Sequence, residues 1–405
     1  MSTPTASGVV NDHGGPAPEL DQLIAALRVG GGHEPQLADQ LVAAASEWRR
    51  PPRHHGTGRP PPRPADRGGA GGRVGGRPPR IQVTGRARAG KTTLLQALAL
   101  MSAVETEPVD EPGRPDPVLD GDLVVYVVSA SLQAADRRIL AELPRDRTIV
   151  VLNKADAIGS QWAEAVATAD QIAYGLGVPV LPLVSALAVR TRAGTPSDDD
   201  LRTLRRHAAN TDPNFTLSPE LFTAPTAGPD VAERTEVLAR WGLYGVSCAL
   251  TALRYEPDLG PRELLQLLHA VSGIDPVHDL LHRRYEQIGA RRGGAFLDEL
   301  ARLAARSVPG VPASAGRGRD LIEDYLAGDE ALWLGLQAGL ACPDVRHLAT
   351  GYPAPQPADA DDALARAQRW RAVVASDMPA PARRAAIRVH NGYVRIWERM
   401  SSAGL

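Results

Sequence analysis

Between residues 80 and 184 the chain alternates short runs of β-branched and apolar residues with longer helix-forming stretches. This pattern constrains the fold more than any other feature of the sequence. Arg80-Ile81-Gln82-Val83-Thr84 is short and alternating, and Thr92 to Leu100 is a run of strong helix formers. Leu123 to Val128 is continuously apolar, Ala134 to Leu143 reads as a helix, and Thr148 to Leu152 is a second continuous apolar run. Gln161 to Tyr174 is helical up to Gly175 and Gly177, and Val178 to Val184 closes the series. Continuous apolar strands alternating with helices predict a parallel sheet buried on both faces, in a doubly wound α/β arrangement. Ligands of such sheets sit beyond the carboxyl ends of the strands. Pro179 and Pro182 suit an edge for the last strand.

Three of those carboxyl ends carry recognisable chemistry. The first is Gly85-Arg86-Ala87-Arg88-Ala89-Gly90-Lys91-Thr92-Thr93, which fits G-x-x-x-x-G-K-[ST] between a strand and a helix. The two glycines let the backbone turn so that successive N–H groups face a phosphate, and the helix N-terminus adds its dipole. In this reading Lys91 contacts the terminal phosphates and the Thr92 hydroxyl ligates Mg²⁺. The alternative is a chance match, since glycine and arginine are abundant just upstream. Of 45 Lys and Arg residues only Lys91 and Lys154 are lysine, and both fall in such loops. A slim ammonium stem does something there that a planar guanidinium does not.

The second end, Asn153-Lys154-Ala155-Asp156, resembles the NKxD guanine-specificity motif of translation-factor-related GTPases. The resemblance implies that Asp156 accepts hydrogen bonds from guanine N1–H and N2–H₂, that the Lys154 stem lies along the base, and that Asn153 ties this loop to the phosphate loop. The third, Ser185-Ala186-Leu187, resembles the loop of those proteins whose backbone N–H meets the guanine carbonyl. Asp156 alone would also serve as a helix N-cap. Together the three ends imply a GTP or GDP site with Mg²⁺.

The middle of this module is short, with 61 positions from Thr92 to Asn153. Asp110-Glu111-Pro112-Gly113 matches D-x-P-G, the form of switch II, in which Asp110 reaches Mg²⁺ through water and Gly113 N–H meets a γ-phosphate. Thr106 is the candidate switch I threonine. The competing reading makes 104–122 an acidic, proline-rich surface loop. Hydrolysis needs an ordered attacking water and charge compensation on the γ-phosphate, so the shortened segment predicts slow GTP turnover, or binding without turnover. Lys91, Thr92 and Asp110 are the candidate catalytic residues, and Thr92 and Asp110 the candidate metal ligands.

Beyond about 195 the pattern is helical: Leu201–Ala208, Val231–Arg254, Pro261–Val271, Val277–Ser307, a break at 308–318, Leu321–Leu340 split at Gly328, a proline-rich link at 351–358, Asp361–Val374 and Ala382–Met400. In the last of these, Ala386, Val389, Tyr393, Ile396 and Met400 form an apolar seam. The expected organisation is two N-terminal helices within 1–50 (Glu19–Leu27 and Gln36–Trp48, around Gly30-Gly31-Gly32), a disordered linker at 51–79, a P-loop GTPase-like domain at 80–194 and a helical bundle at 195–405. Residues 1–17 also read as disordered. Residues 49–80 hold nine arginines and almost no apolar side chains, which suits a solvated linker or an anion-binding arm.

A nucleotide module flanked by helices resembles bacterial dynamin-like proteins, the actinobacterial isoniazid-inducible type above all. The similarity runs through Tyr244-Gly245-Val246, Ser272-Gly273-Ile274-Asp275, Arg283-Arg284-Tyr285, Arg383-Arg384-Ala385-Ala386, Tyr393 and Trp397. It implies a helical stalk, assembly as a homo-oligomer or with a related GTPase, and peripheral membrane contact. The other readings are a non-hydrolysing regulatory subunit that partners a complete dynamin-like GTPase, and a P-loop kinase. Against membrane contact, Ala331–Leu340, the most apolar segment, follows Asp329 and Glu330 and suits a buried bundle helix better than a lipid-dipping one.

Composition sets limits. Hydrophobic content is 43% and aromatic content 4%, so the core must be mostly Ala, Leu and Val. A net charge of −2 argues against a globally basic nucleic-acid binder. Cys248 and Cys342 read as buried hydrophobes, and His269, His278 and His282 as helix-surface residues. The sequence shows no signal-peptide pattern and no span of ~18 apolar residues, so the expected location is cytoplasmic, at most peripheral on the inner face of the membrane.

Overall fold

The computed structural model describes residues 19–29, 34–49, 79–100, 103–159, 161–212, 214–306, 314–349 and 356–402. The expected disordered N-terminus, the Gly30-Gly31-Gly32 break, residues 51–78 of the arginine-rich linker 51–79 and most of the links at 308–318 and 351–358 lie outside the described residues. Two helices open the chain, α1 (Glu19–Val29) and α2 (Glu34–Arg49). The alternating region follows as β1 (Ile81–Gly85), α3 (Lys91–Leu98), β2 (Ala103–Glu105), β3 (Leu123–Ser129), α4 (Ala134–Glu142), β4 (Thr148–Asn153), α5 (Trp162–Leu176), β5 (Val180–Leu183) and α6 (Ser185–Ala193). Then come α7 (Asp198–Ala208), α8 (Pro219–Phe222), α9 (Val231–Tyr255), α10 (Pro261–Val271) and α11 (Ile274–Arg306). The chain ends with α12 (Ser314–Ala327), α13 (Asp329–Leu340), α14 (Pro343–Arg346), α15 (Ala360–Val374) and α16 (Ala380–Ser402). Residues 314–318, expected as part of a break, are the first turn of α12.

The chain forms two compact units, Pro79–Tyr285 and Met1–Pro78 with Glu286–Leu405, and the division falls within α11. The sheet lies in the first. Its five strands are all parallel, in the order β2-β1-β3-β4-β5. The chain leaves β1 to one side and returns on the other, so the switch point lies at the carboxyl end of β1. Val124, Tyr126 and Val128 pack with Ile139 and Leu140 of α4, Leu143 just after it and Ala169 of α5. The alternate residues Leu123, Val125 and Val127 are also fully buried, so both faces of the sheet are covered. This is why β3 and β4 read as unbroken apolar runs. Away from that cluster α3 and α6 pack together, with Arg192 donating to the Ala97 carbonyl at 3.1 Å. β5, with Pro182, is one edge, as its prolines suggest.

The other edge is β2, which the sequence pattern does not show. It has three residues, two of them exposed, and it pairs Ala103–Glu105 with Ile81–Val83. A strand this short has no measurable periodicity, and its Glu105 resembles the acidic loop that follows.

The helices from α7 to α10 share a compact unit with the sheet, although their composition groups them with the C-terminal helices. Leu187 of α6 and Val184 pack with Tyr244 of α9 and Val271 at the end of α10. The Ser272 carbonyl accepts from Val184 N–H at 2.8 Å. Gly273 (φ 78°) lets the backbone pass Pro182, whose oxygen would lie 2.6 Å from an added Cβ. Leu201, Leu204, Trp241, Leu250, Leu264 and Leu268 form the core of this helical part. At the start of α9, Asp230 accepts from His207 at 2.8 Å and Arg206 at 2.6 Å.

In the second unit, Leu20, Leu23 and Leu27 of α1 and Leu41 of α2 pack with Phe296 and Leu300 of α11 and Ile322 of α12. The N-terminal helices are therefore part of this helical core. A second cluster joins Leu336, Ala367, Trp370, Ala386, Val389 and Tyr393. The apolar seam of α16 faces this cluster, and most of the apolar side of α13 is buried. Among the described residues no helix is long and apolar enough to cross a membrane. Cys248 and Cys342 are free thiols.

Trp370 is fully buried at the centre of its cluster. Trp370→Ala should lower the unfolding free energy by about 3–5 kcal/mol in denaturant titrations.

Burial works to raise the Asp230 carboxyl, but hydrogen bonds from His207 and Arg206 outweigh it and bring the pKa to about 2. A depressed carboxylate contributes stability above its unfolded value and loses it as pH falls through the folded one. Stability measured by urea unfolding should therefore decline between about pH 4 and pH 2, and Asp230→Asn should flatten that decline.

Candidate functional site

The carboxyl ends of β1, β2 and β4 and the start of α6 converge. At the end of β1, Gly85 (φ 145°) lies against the backbone of Val127, where any side chain would strike the Val127 oxygen. The loop then turns, with Ala89 N–H donating to the Arg86 oxygen at 3.3 Å. Ala87 and Arg88 are exposed, and Arg88 has φ 61°. Gly90 (φ 94°) caps α3, and a Cβ there would collide with the Asn153 amide. Both glycines are thus required by close approach of other backbone or side-chain atoms.

Lys91 opens α3 and folds back beneath the loop. Its side chain is 6% exposed, and Nζ donates to the Gly85 and Arg86 oxygens at 3.3 and 3.4 Å. The backbone N–H groups of Gly90, Lys91 and Thr92 meet no acceptor among the described residues, as expected for a first helical turn. A buried ammonium, unpaired N–H groups and the positive end of a helix dipole make an anion-binding concavity. Thr93 is half-buried, and Thr92 is exposed with its hydroxyl donating to Glu105 Oε2 at 2.8 Å. The other Glu105 oxygen lies 3.9 Å from Lys91 Nζ.

Asn153, the last residue of β4, is 2% exposed. Its Nδ2 donates to the Ala89 oxygen at 2.9 Å, and its Oδ1 accepts from Ser185 N–H at 3.2 Å. One amide thereby joins the loop after β1, the end of β4 and the N-terminus of α6. Lys154 takes a left-handed conformation (φ 58°), and its Nζ donates to the Arg88 oxygen at 2.9 Å. Asp156 stands exposed on the single 3₁₀ turn Ala155–Ala157. Ala186 is exposed on the first turn of α6, while Leu187 points into the core. The rim therefore presents an exposed lysine stem and an exposed carboxylate beside the anion-binding loop.

Asp110 follows an isolated bridge between Arg86 and Val109 and has φ 56°. Its N–H donates to Asp116 Oδ1 at 2.8 Å, and its carboxylate has no partner among the described residues. Gly113 lies in open space. The Thr106 hydroxyl lies 2.8 Å from Thr84 Oγ1 and 2.9 Å from the Glu107 oxygen. The acidic group in contact with Thr92 is thus Glu105, which sequence reasoning missed because nothing marked β2 as a strand.

A second missed group is Asp136, 1% exposed at the start of α4. It accepts from the Tyr126 hydroxyl and from Gln133 N–H, both at 2.8 Å, and pairs with Arg86 Nε at 3.3 Å. Burial and then the Asp136 charge push the Tyr126 phenol well above its ordinary pKa, which keeps it a donor. Arg86 is thereby anchored to α4.

No group of three or more His, Cys, Asp or Glu residues among those described has a metal-holding arrangement. A cation here would need Thr92, Glu105 and oxygens supplied by a ligand and water. The chain matches no protein-family model and no curated protein.

Asn153→Ala would leave the buried Ala89 carbonyl and Ser185 N–H without partners. Each such loss costs about 1–3 kcal/mol, so urea unfolding should register a destabilisation of at least that size.

Proposed function

We propose that this site holds a guanine nucleotide, with its phosphates in the loop 85–92 and its base on the rim formed by Asn153–Asp156 and Ser185–Ala186. The observation that carries the reading is the pair of bonds from Asn153 and Lys154 to successive carbonyls of the loop, Ala89 and Arg88. They hold an anion-binding loop and an exposed carboxylate in one fixed arrangement. In this reading Lys91 leaves its carbonyls for phosphate oxygens, which repay a buried ammonium better than two long neutral bonds do. Asp156, an acceptor only, pairs with the adjacent N–H donors of guanine and finds no such pair on adenine. The Lys154 stem covers one side of the base, and the N–H groups at the start of α6 reach its carbonyl oxygen.

Turnover is a separate matter. Transfer to water needs a group that orients the water and a threonine or arginine at the γ-phosphate. The Thr106 hydroxyl is already engaged with Thr84 and its own loop. The reading is therefore nucleotide binding with slow hydrolysis by a dynamin-like protein, the alternative being a non-hydrolysing regulatory partner of a complete dynamin-like GTPase.

The test is displacement of a fluorescent GDP analogue. GDP and GTP should displace it and ATP should not. Asp156→Ala should weaken GDP binding by at least about tenfold, or ~1.4 kcal/mol, and reduce the preference over ATP. Equal displacement by ATP from the unaltered protein would sink the assignment of the base site.

A further inference from the structure

We propose that Glu105, not the D-x-P-G aspartate Asp110, is the protein carboxylate that ligates a divalent cation here, sharing it with the Thr92 hydroxyl. The proposal rests on the nucleotide reading above, since phosphate oxygens would complete the coordination.

The argument starts from the register of the sheet. Glu105 ends β2 opposite Val83 of β1, which brings its carboxylate to the first turn of α3. There Oε2 lies 2.8 Å from Thr92 Oγ1. Neighbouring ligands of an octahedral Mg²⁺, each at about 2.1 Å, stand about 3.0 Å apart. The two oxygens already have the spacing of one edge of that octahedron, so a cation can replace the hydrogen bond between them with little movement. Thr92 is exposed and the Glu105 side chain is 34% exposed, which leaves room for the waters that Mg²⁺ retains. One carboxylate, one hydroxyl, phosphate oxygens and water are an ordinary set for this ion.

Charge supplies the second line of argument. With Glu105 beside the phosphate loop, an unscreened carboxylate would face phosphate, an unfavourable like-charge contact. A cation between them turns that repulsion into attraction. Lys91 Nζ pairs with Oε1 only at 3.9 Å, without a hydrogen bond, and its single positive charge is too little to balance both Glu105 and the phosphates. Asp110 offers no such arrangement, because its backbone N–H is tied to Asp116 within the loop and its carboxylate meets none of the groups around Thr92.

The experiment titrates fluorescent GDP into the full chain in EDTA and in excess Mg²⁺, for the unaltered protein, Glu105→Gln and Asp110→Asn. The glutamine keeps the size and the hydrogen-bonding capacity toward Thr92 while removing the charge. Mg²⁺ should raise the affinity of the unaltered protein at least about tenfold. Glu105→Gln should bind as tightly as the unaltered protein, or more tightly, in EDTA, and should lose most of the gain from Mg²⁺. Asp110→Asn should keep it. A merely structural Glu105 would instead weaken binding in both buffers, and that result would overturn the proposal. So would a full Mg²⁺ gain in Glu105→Gln, or loss of the gain in Asp110→Asn alone. If the unaltered protein binds guanine nucleotide equally with and without Mg²⁺, the cation site fails and the nucleotide site stands. If it binds none in either buffer, both fail.

Discussion

The side-chain amide of Asn153 is the contact on which the candidate site depends. Its two polar atoms tie the end of β4 to two segments far away in sequence, the loop after β1 and the start of α6. The loop after β1 is rich in small and charged residues and has little apolar surface to hold it down. The Ala89 carbonyl is buried and needs a donor, and the first N–H of α6 needs an acceptor. A carboxamide supplies both from a single planar group. Gly90 follows as a consequence, because the amide occupies the space a Cβ would take.

The same economy governs the surroundings of the loop. Asp136 holds Arg86 at one end, Lys154 holds Arg88 in the middle, and Lys91 holds the carbonyls of Gly85 and Arg86 from below. The loop is thus anchored through its carbonyls and one guanidinium, which leaves N–H groups at the start of α3 without internal partners. α6 extends the arrangement outward. Its first N–H donates to Asn153, it packs on α3, and it reaches α9 and α10 through Leu187 and through Thr191, whose hydroxyl lies 3.0 Å from His269 Nδ1. At Gly242 the helix α9 bends (φ 70°), and the Arg190 guanidinium of α6 fills the notch. These contacts explain why helices 198–271 belong with the sheet.

Much of this was legible in the residues. Apolar runs located β3, β4 and β5, and a short alternating segment before the glycine-bounded loop located β1, each to within a residue or two, because strands inside a parallel sheet are covered on both faces. Gly85, Gly90, Lys91 and Asn153 stood out because each is a residue type that its position demands. Proline at the first turn of α10 and Gly328 before α13 marked helix starts correctly. What stayed hidden were elements whose sequence does not differ from loop. β2 is one, and with it the role of Glu105. Asp136 is another, since an aspartate near a helix start reads as a cap until Tyr126 and Arg86 are seen to share it.

By itself, the sequence determined an all-parallel α/β module with a glycine-bounded, lysine-bearing loop at its first strand end, followed by helices. Local hydrophobic period and backbone requirements suffice for that. Only the tertiary structure decided which carboxylate meets Thr92, where the compact units divide, and that α1 and α2 join the core of α11 and α12. Those outcomes rest on strand register and on apolar faces finding partners hundreds of residues away, and no local pattern encodes either.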